Sequence, residues 1–351
     1  MTERISTPAL VVDLDIFEAN VAAMESMVNG SGKTVRPHVK THRTPELAKR
    51  QLGGSAQGVT CATVGEAEAM VAAGIDDVLI ANEVVDEGKL GRVAELARAA
   101  RVTIAADDGE AVRTLGRLAQ RHGVTLGVLI DLDVLLHRCG VASVPEAVAL
   151  ADVIAGTKGM RLAGLMGYEG RVRLNVENRA EKISGAYRIL KDAREALIHA
   201  GHEVPIVSAA GTSTLREAIA DPTITEIQAG VYCLMEPELL VMDLPFRCAT
   251  SVRGTVISRH SDRVVVDVGR RVVGLEYGPP IPIGVKATKV SVSDEHATVT
   301  LDGTAPPALG SRFDFVPGQI RTTFNLHDRV WISRGDEVVD CWPVSARGSS
   351  H

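Results

Sequence analysis

From about residue 14 to residue 230, short apolar runs alternate with segments whose apolar residues recur at helical spacing, and no other feature narrows the fold as much. The strand candidates are "TVRPHVK", "GVTCAT", "DVLIA", "VTIAAD", "TLGVLIDLD", "LAGLMGY", "VPIVSA" and "TEIQAG". Helix candidates such as "TPELAKRQ", "GEAEAMVAAG", "GEAVRTLGRLAQRHG" and "ENRAEKISGAYRILKDAREALIHAG" lie between them. Eight strands with flanking helices in roughly 230 residues match a (β/α)8 barrel, with a doubly wound sheet as the alternative. Near Met242 to Phe246 the pattern changes to β-branched runs with turn signals, among them "ATSVRGTVISRH", "DRVVVDVG" and "RVWISRGDEVVDCWPV", where Arg334-Gly335-Asp336 reads as a hairpin turn. The expected class is α/β: a (β/α)8 TIM barrel over residues 14–245, then an all-β domain over residues 246–351, which residues 1–13 are a candidate to join.

Composition removes several function classes. The chain has 351 residues, is 45% hydrophobic and carries a net charge of −6, the profile of an ordinary soluble globular protein with room for one large and one smaller domain. With no basic tract and only 3% aromatic residues, it is not expected to bind nucleic acid. The N-terminal apolar run is interrupted by Asp13 after five residues, too short for a signal-peptide core or a membrane span, so a cytoplasmic location without membrane association is expected. Five cysteines, scattered and without a CxxC pair, argue against a disulfide framework or a structural zinc site.

The chemistry concentrates around "TVRPHVKTH". If it is the first barrel strand, Arg36, His38, Lys40 and His42 share a face, and Lys40 stands at the C-terminal end, where barrel enzymes place their catalytic groups. Desolvation and neighbouring cations would lower the Lys40 pKa toward a nucleophilic amine, the condition of a Schiff-base lysine. A lysine that snorkels outward or pairs with a carboxylate is an equal reading of the local sequence. Two other segments favour the first. "IVSAAGTSTLREA" passes from a strand through Ser208, Gly211 and Thr212 into a helix, and "EIQAGVY" offers the amides of Gly230 and Val231 and the Tyr232 hydroxyl. Phosphate sites of barrels form after strands seven and eight, so a lysine on strand one with a phosphate site there describes pyridoxal 5'-phosphate (PLP). The plainer alternative is a pair of Gly-rich strand-to-helix turns.

Together, "TPALVVDLDIFEANVAAM", "RPHVKTHRTPELAKRQ", "ATVGEAEAMVAAGIDDVLIANEVV", "HRCGV" and "VVDCWPVSARG" resemble the D-threonine aldolase and D-serine dehydratase family, relatives of the alanine racemase barrel, over nearly the whole chain. The resemblance implies that Lys40 binds PLP covalently and acts as base at the substrate α-carbon. It places Arg138 near the cofactor's phenolic oxygen or the substrate carboxylate, and Tyr168 on the pyridine face. Ser208, Gly211, Thr212, Gly230 and Tyr232 are implied to hold the phosphate, and Gln228 to face the pyridine nitrogen. It also implies a homodimer in which the partner subunit closes the barrel mouth. Read from the residues alone, Tyr168 is also compatible with core packing, Arg138 with a loop ion pair, and His137 with a surface loop.

The chain departs from the family pattern in two places. In the family's lyases a segment Pro-x-His-x-Cys or Pro-x-His-x-Asp, followed by Thr and Asn, supplies two ligands to a divalent metal. Here it reads "VPGQIRTTFNLHD": Pro317, Thr323 and Asn325 keep the register, while Gln319 takes the histidine position and Arg321 the Cys or Asp position. An amide oxygen is a poor transition-metal ligand and a guanidinium has no lone pair, so no metal site is expected. Leu135 stands where many relatives have glycine, which narrows the expected pocket. The reading that follows is a metal-independent PLP lyase, an aldolase or dehydratase, acting on a D-3-hydroxy amino acid or analogue, with Arg321 as a fixed cation for its hydroxyl or carboxylate. The alternative is an amino-acid racemase or epimerase, for which His296 or Cys341 would supply a second base. A non-catalytic PLP carrier is disfavoured by the retained two-part layout.

Overall fold

The computed structural model describes residues 5–170 and 177–351, so residues 1–4 of the N-terminal stretch considered for the β domain lie outside the described residues. Contacts divide the chain into two units. One comprises Glu25–Lys40, Ala48–Gly230 and Ser349–His351, the other the chain up to Met24, Thr41–Leu47 and Val231–Gly348.

The chain opens with β1 (Ala9–Asp13) and α1 (Leu14–Val28), then builds the first unit by alternation. Its elements are β2 (Thr34–Val35), α2 (Pro45–Gln51), β3 (Val59–Cys61), α3 (Val64–Ala72), β4 (Asp77–Ile80), α4 (Glu87–Leu96), β5 (Arg101–Ala106), α5 (Gly109–His122), β6 (Leu126–Asp131), α6 (Val144–Gly156), β7 (Met160–Gly167), α7 (Arg179–His199), β8 (Ile206–Ala209), α8 (Leu215–Ala220) and β9 (Glu226–Ile227). The strands pair in parallel in the order β2-β9-β8-β7-β6-β5-β4-β3. Bridges Val35↔Ala56 and His38↔Thr60 then join the two edges and curl the sheet into the expected barrel. All residues of β4 and β6 are buried, which is why these strands read as unbroken apolar runs rather than as alternation. Side-chain caps start the helices at short loops: Thr63 accepts from the Glu66 amide, and Asp108 from the amides of Glu110 and Ala111.

The lysine segment differs from its predicted form. The regular strand ends at Val35, and Lys40 lies in a single 3-10 turn, Val39–Thr41. The amides of Arg36 and His38 still donate to the carbonyls of Ile227 and Ala229. Pro37 has no N–H to continue a ladder, and its carbonyl accepts instead from Thr60 at the barrel closure (2.9 Å). The side chains consequently do not form one row of cations.

The second unit is built on β10 (Thr250–Arg259), β11 (Arg263–Val266), β12 (Ile281–Pro282), β13 (Ala287–Val292), β14 (Ala297–Leu301), β15 (Arg312–Val316), β16 (Arg329–Arg334) and β17 (Glu337–Pro343). Its main path is β13-β14-β11-β10-β1-β16-β17, with β15 pairing β10 and β12. The N-terminal strand β1 lies between β10, antiparallel, and β16, parallel. The expected hairpin is present: Arg334 pairs with Glu337 across Gly335, whose φ of 55° suits a glycine turn. One element departs from an all-β description, the short helix α9 (Ile320–Asn325).

Candidate active site

In the barrel unit, Lys40 Nζ lies 5.7 Å from the centroid of the Tyr168 ring. Tyr168 follows the C-terminal end of β7, and the residue is 37% exposed, so it is not core packing. Two glycines make room for the ring. A Cβ at Gly170 would sit 2.1 Å from Tyr168 Cε1, and one at Gly211 would meet Cε2 at 3.5 Å.

Arg36 does not act as a neighbouring cation for Lys40. Its Nη1 donates to Asp77 Oδ1 (2.9 Å) and its Nε to Glu226 Oε2 (2.8 Å), all three groups being buried. Burial works against the guanidinium charge, but Glu226 and Asp77 outweigh it and hold its pKa above the ordinary range. Nor does His42 act as one: it belongs to the second unit, where its Nδ1 accepts from the Thr44 amide and its ring stands edge-on to Phe324. From Glu226 the network continues, with Ser208 Oγ donating to Glu226 Oε1 (2.7 Å) and Gln228 Nε2 donating to Ser208 Oγ (2.9 Å). The Ser208 proton is thus committed to the barrel interior.

The turn after β8 carries Ala210 at φ 70°, then Gly211 and the 3-10 segment Thr212–Thr214. The Gly211 amide donates to Thr214 Oγ1 (3.2 Å). After β9, Gly230 closes the barrel unit, and Val231 and Tyr232 open the second unit in the 3-10 turn Val231–Cys233. The buried Tyr232 ring packs on Phe246, 5.6 Å between centroids. Arg138 is exposed in the loop after β6, where Leu135 and His137 both have left-handed φ, 81° and 54°. The His137 amide and ring bind Asp133, a local loop contact.

Sequence reasoning missed two acid sites of the barrel. Burial, then the hydrogen-bonded Glu83 carboxyl, push the Asp131 pKa up to about 9, against the opposing charge of Arg138. Glu169, next to Tyr168 in the chain, is buried and accepts from the Tyr187 hydroxyl (3.0 Å), and burial raises its pKa too. Acidic residues at strand ends inside otherwise apolar runs were the only signal available for them.

In the second unit, Gln319 is the N-cap of α9, its Oε1 accepting from the Thr322 amide (2.6 Å). Arg321 donates through Nη2 to the Tyr277 hydroxyl (2.9 Å) and lies 3.6 Å from Glu236 Oε2. The other Glu236 oxygen accepts from the Ile320 amide (3.0 Å). Nothing in the spacing of Glu236 and Tyr277 pointed to Arg321, because both partners arrive through tertiary folding. His296 is exposed at the β13–β14 hairpin, and Cys341 is half-buried on β17.

A family model described as the alanine racemase N-terminal domain matches residues 12–237, and one for a serine dehydratase domain matches residues 249–333. The chain is 36% identical to a D-threonine aldolase from an Arthrobacter species, covering 99% of this chain and 94% of that protein. It is 32% identical to a 3-hydroxy-D-aspartate aldolase of Paracoccus denitrificans, again over 99% and 94%. The crystal structure of D-threonine aldolase from Filomicrobium marinum superposes with a TM-score of 0.94 at 34% identity, covering 99% of this chain and 97% of that one. D-threo-3-hydroxyaspartate dehydratase from Delftia sp. HT23 follows at 0.85 and 26% identity, covering 97% of both. A β/α barrel of this kind joined to a β-sheet unit defines a fold type III, alanine racemase-like PLP enzyme. Within that class the chain belongs to the D-threonine aldolase and D-serine dehydratase family.

Its cofactor is PLP. The barrel residues fit that group: Lys40 offers an amine to an aldehyde, Tyr168 an aromatic face beside that amine, and the Ala210–Thr214 turn amides and hydroxyls suited to a phosphate. The residues at the family's metal position do not fit a divalent cation. Gln319 Oε1 is occupied as a helix cap, and Arg321 is itself a cation. His327 donates through Nε2 to the Val272 carbonyl (2.8 Å). Among the described residues no three His, Cys, Asp or Glu side chains are grouped to hold a metal. No helix of the described residues is long and apolar enough to cross a membrane.

Proposed function

We propose that this protein is a PLP-dependent lyase, an aldolase or dehydratase, that acts on a D-3-hydroxy amino acid without a divalent metal. Similarity to a D-threonine aldolase and a 3-hydroxy-D-aspartate aldolase over 99% of the chain, and to a D-threo-3-hydroxyaspartate dehydratase over 78% of it, supports the reaction class. The observation that carries the metal-independent form is the environment of α9, where Gln319 is spent on a cap and Arg321 is anchored by Tyr277 and Glu236.

When bound, PLP supplies an electron sink for negative charge at the substrate α-carbon. Lys40 then has two tasks, holding the cofactor through its Nζ and moving a proton at that carbon. Tyr168 limits where the amine and a flat ring can lie, and Arg138 is assigned to an anionic oxygen of cofactor or substrate. Gly211, Thr212, Gly230, Val231 and Tyr232 are assigned to the phosphate, and Gln228 to the pyridine nitrogen. Arg321, at the motif position that gives the lyases a metal ligand, is assigned to the substrate's β-substituent. Its Glu236 partner already balances much of its charge, which favours a hydroxyl over a second carboxylate.

A cytoplasmic homodimer is part of the same proposal, supported by the family resemblance; a fully active monomer in sedimentation would contradict it. The deciding experiment is product analysis after incubating the purified protein with a panel of D- and L-amino acids, with and without EDTA. Carbonyl products from D-3-hydroxy amino acids alone support a lyase. Interconversion of enantiomers supports the racemase alternative, and would call for a second base such as His296 or Cys341.

A further inference from the structure

The network Arg36–Glu226–Ser208–Gln228 has a fixed direction. Arg36 can only donate, and its Nε reaches Glu226 Oε2 at 2.8 Å. Glu226, ion-paired and buried, accepts with both oxygens, so the Ser208 hydroxyl must give its proton to Oε1 (2.7 Å). Ser208, itself fully buried, has then only lone pairs to offer, and its partner at 2.9 Å must be the donating end of the Gln228 amide. Asp77 holds the far side of Arg36 at 2.9 Å, so the guanidinium cannot turn away. Each member therefore determines the next, and the amide carbonyl Oε1 of Gln228 is the end that the network leaves unused.

We infer that Arg36, Glu226 and Ser208 are positioning residues that present the carbonyl oxygen of Gln228, an acceptor, to a heteroaromatic ring nitrogen in its protonated, donor form. The inference rests on the reading that Gln228 faces the pyridine nitrogen of the cofactor. A bare pyridine nitrogen would meet the carbonyl lone pair against lone pair, whereas a protonated one forms a hydrogen bond. Protonation at that position increases the ring's capacity to accept charge, which suits cleavage of a bond at the substrate α-carbon. Gln228 is thereby the group that touches the cofactor, and the other three act through it.

The test is the 15N resonance of PLP labelled at its ring nitrogen and bound to the whole protein, followed against pH. Wild-type protein is expected to show a pyridinium-range signal at neutral pH. Ser208→Ala frees the amide to rotate and should lower the apparent pKa of the ring nitrogen by about one unit or more, the worth of one hydrogen bond. Gln228→Glu, which presents only acceptors, should keep the nitrogen protonated to higher pH than wild type. An unprotonated signal in wild-type protein overturns the inference, as does a Ser208→Ala titration identical to wild type. If Gln228→Leu leaves the signal unmoved, Gln228 does not face the ring nitrogen and the underlying reading fails with it. Failure of the PLP reading itself is separate: it would appear as no labelled cofactor retained by wild-type protein.

Discussion

Lys40 Nζ and the Tyr168 ring centroid are 5.7 Å apart, and that separation depends on a glycine two residues beyond the tyrosine. A methyl group at Gly170 would collide with Cε1 of the ring at 2.1 Å. Gly170→Ala is therefore expected to displace Tyr168 and weaken PLP binding, with a smaller effect on thermal stability because Tyr168 is partly exposed. Spectrophotometric titration of the apo-protein with PLP beside a melting curve would decide it. Unchanged cofactor affinity would show that the ring does not need its place.

Borohydride reduction of the PLP-loaded protein should label the peptide containing Lys40 and bleach the visible band of the bound cofactor. Lys40→Ala should abolish turnover. A label found on another lysine by mass spectrometry would refute the assignment.

Asp131 predicts a particular pH dependence of stability. Burial and Glu83 raise its pKa to about 9 in the folded protein, while in the unfolded chain it titrates in the ordinary carboxylate range near ~4. Between those values the folded state binds more protons. This contribution is fully present at acid pH and is lost as pH rises through about 9, with a limiting slope of about 1.4 kcal/mol per pH unit. Asp131→Asn should flatten the decline, so the variant gains on wild type in urea unfolding at pH 9 relative to pH 5. Parallel pH profiles would rule out the raised Asp131 pKa.

Activity should survive exhaustive chelation, since neither Gln319 nor Arg321 fits a cation. Arg321→Ala should weaken transition-state binding of the hydroxylated substrate by about 1.5–3 kcal/mol, the range of a hydrogen bond to a charged group. Arg321→Lys should restore only part of it, because an ammonium lacks the guanidinium fork. Loss of activity with EDTA and recovery with manganese would point to a metal site built from other ligands.

Leu135 holds a φ of 81°, a conformation that costs a branched residue about 1–2 kcal/mol and glycine almost nothing. Glycine also gains freedom in the unfolded chain, about 0.5–1 kcal/mol against it. Leu135→Gly should accordingly be neutral or slightly stabilising in urea unfolding. A loss well beyond ~1 kcal/mol would mean that the leucine side chain contributes packing that outweighs its backbone strain.

The amino-acid order alone determined the β/α rhythm of the barrel, the β-strands that follow it and the altered metal motif, but not the 3-10 turn that carries Lys40, which read as a strand. What it determined rests on local signals: apolar runs such as "DVLI" in β4, the Arg334-Gly335-Asp336 hairpin, and side-chain types that do or do not coordinate metal. Which partner each charged group takes was decided only in three dimensions. Arg36 read as one of a row of cations, yet it is neutralised by Asp77, 41 residues away, and Glu226, 190 residues away. Arg321 likewise read as a fixed cation for the substrate, and only folding brought Glu236 and Tyr277 to it. Ion pairing follows distance in space, and a barrel brings together strand ends that the chain keeps far apart.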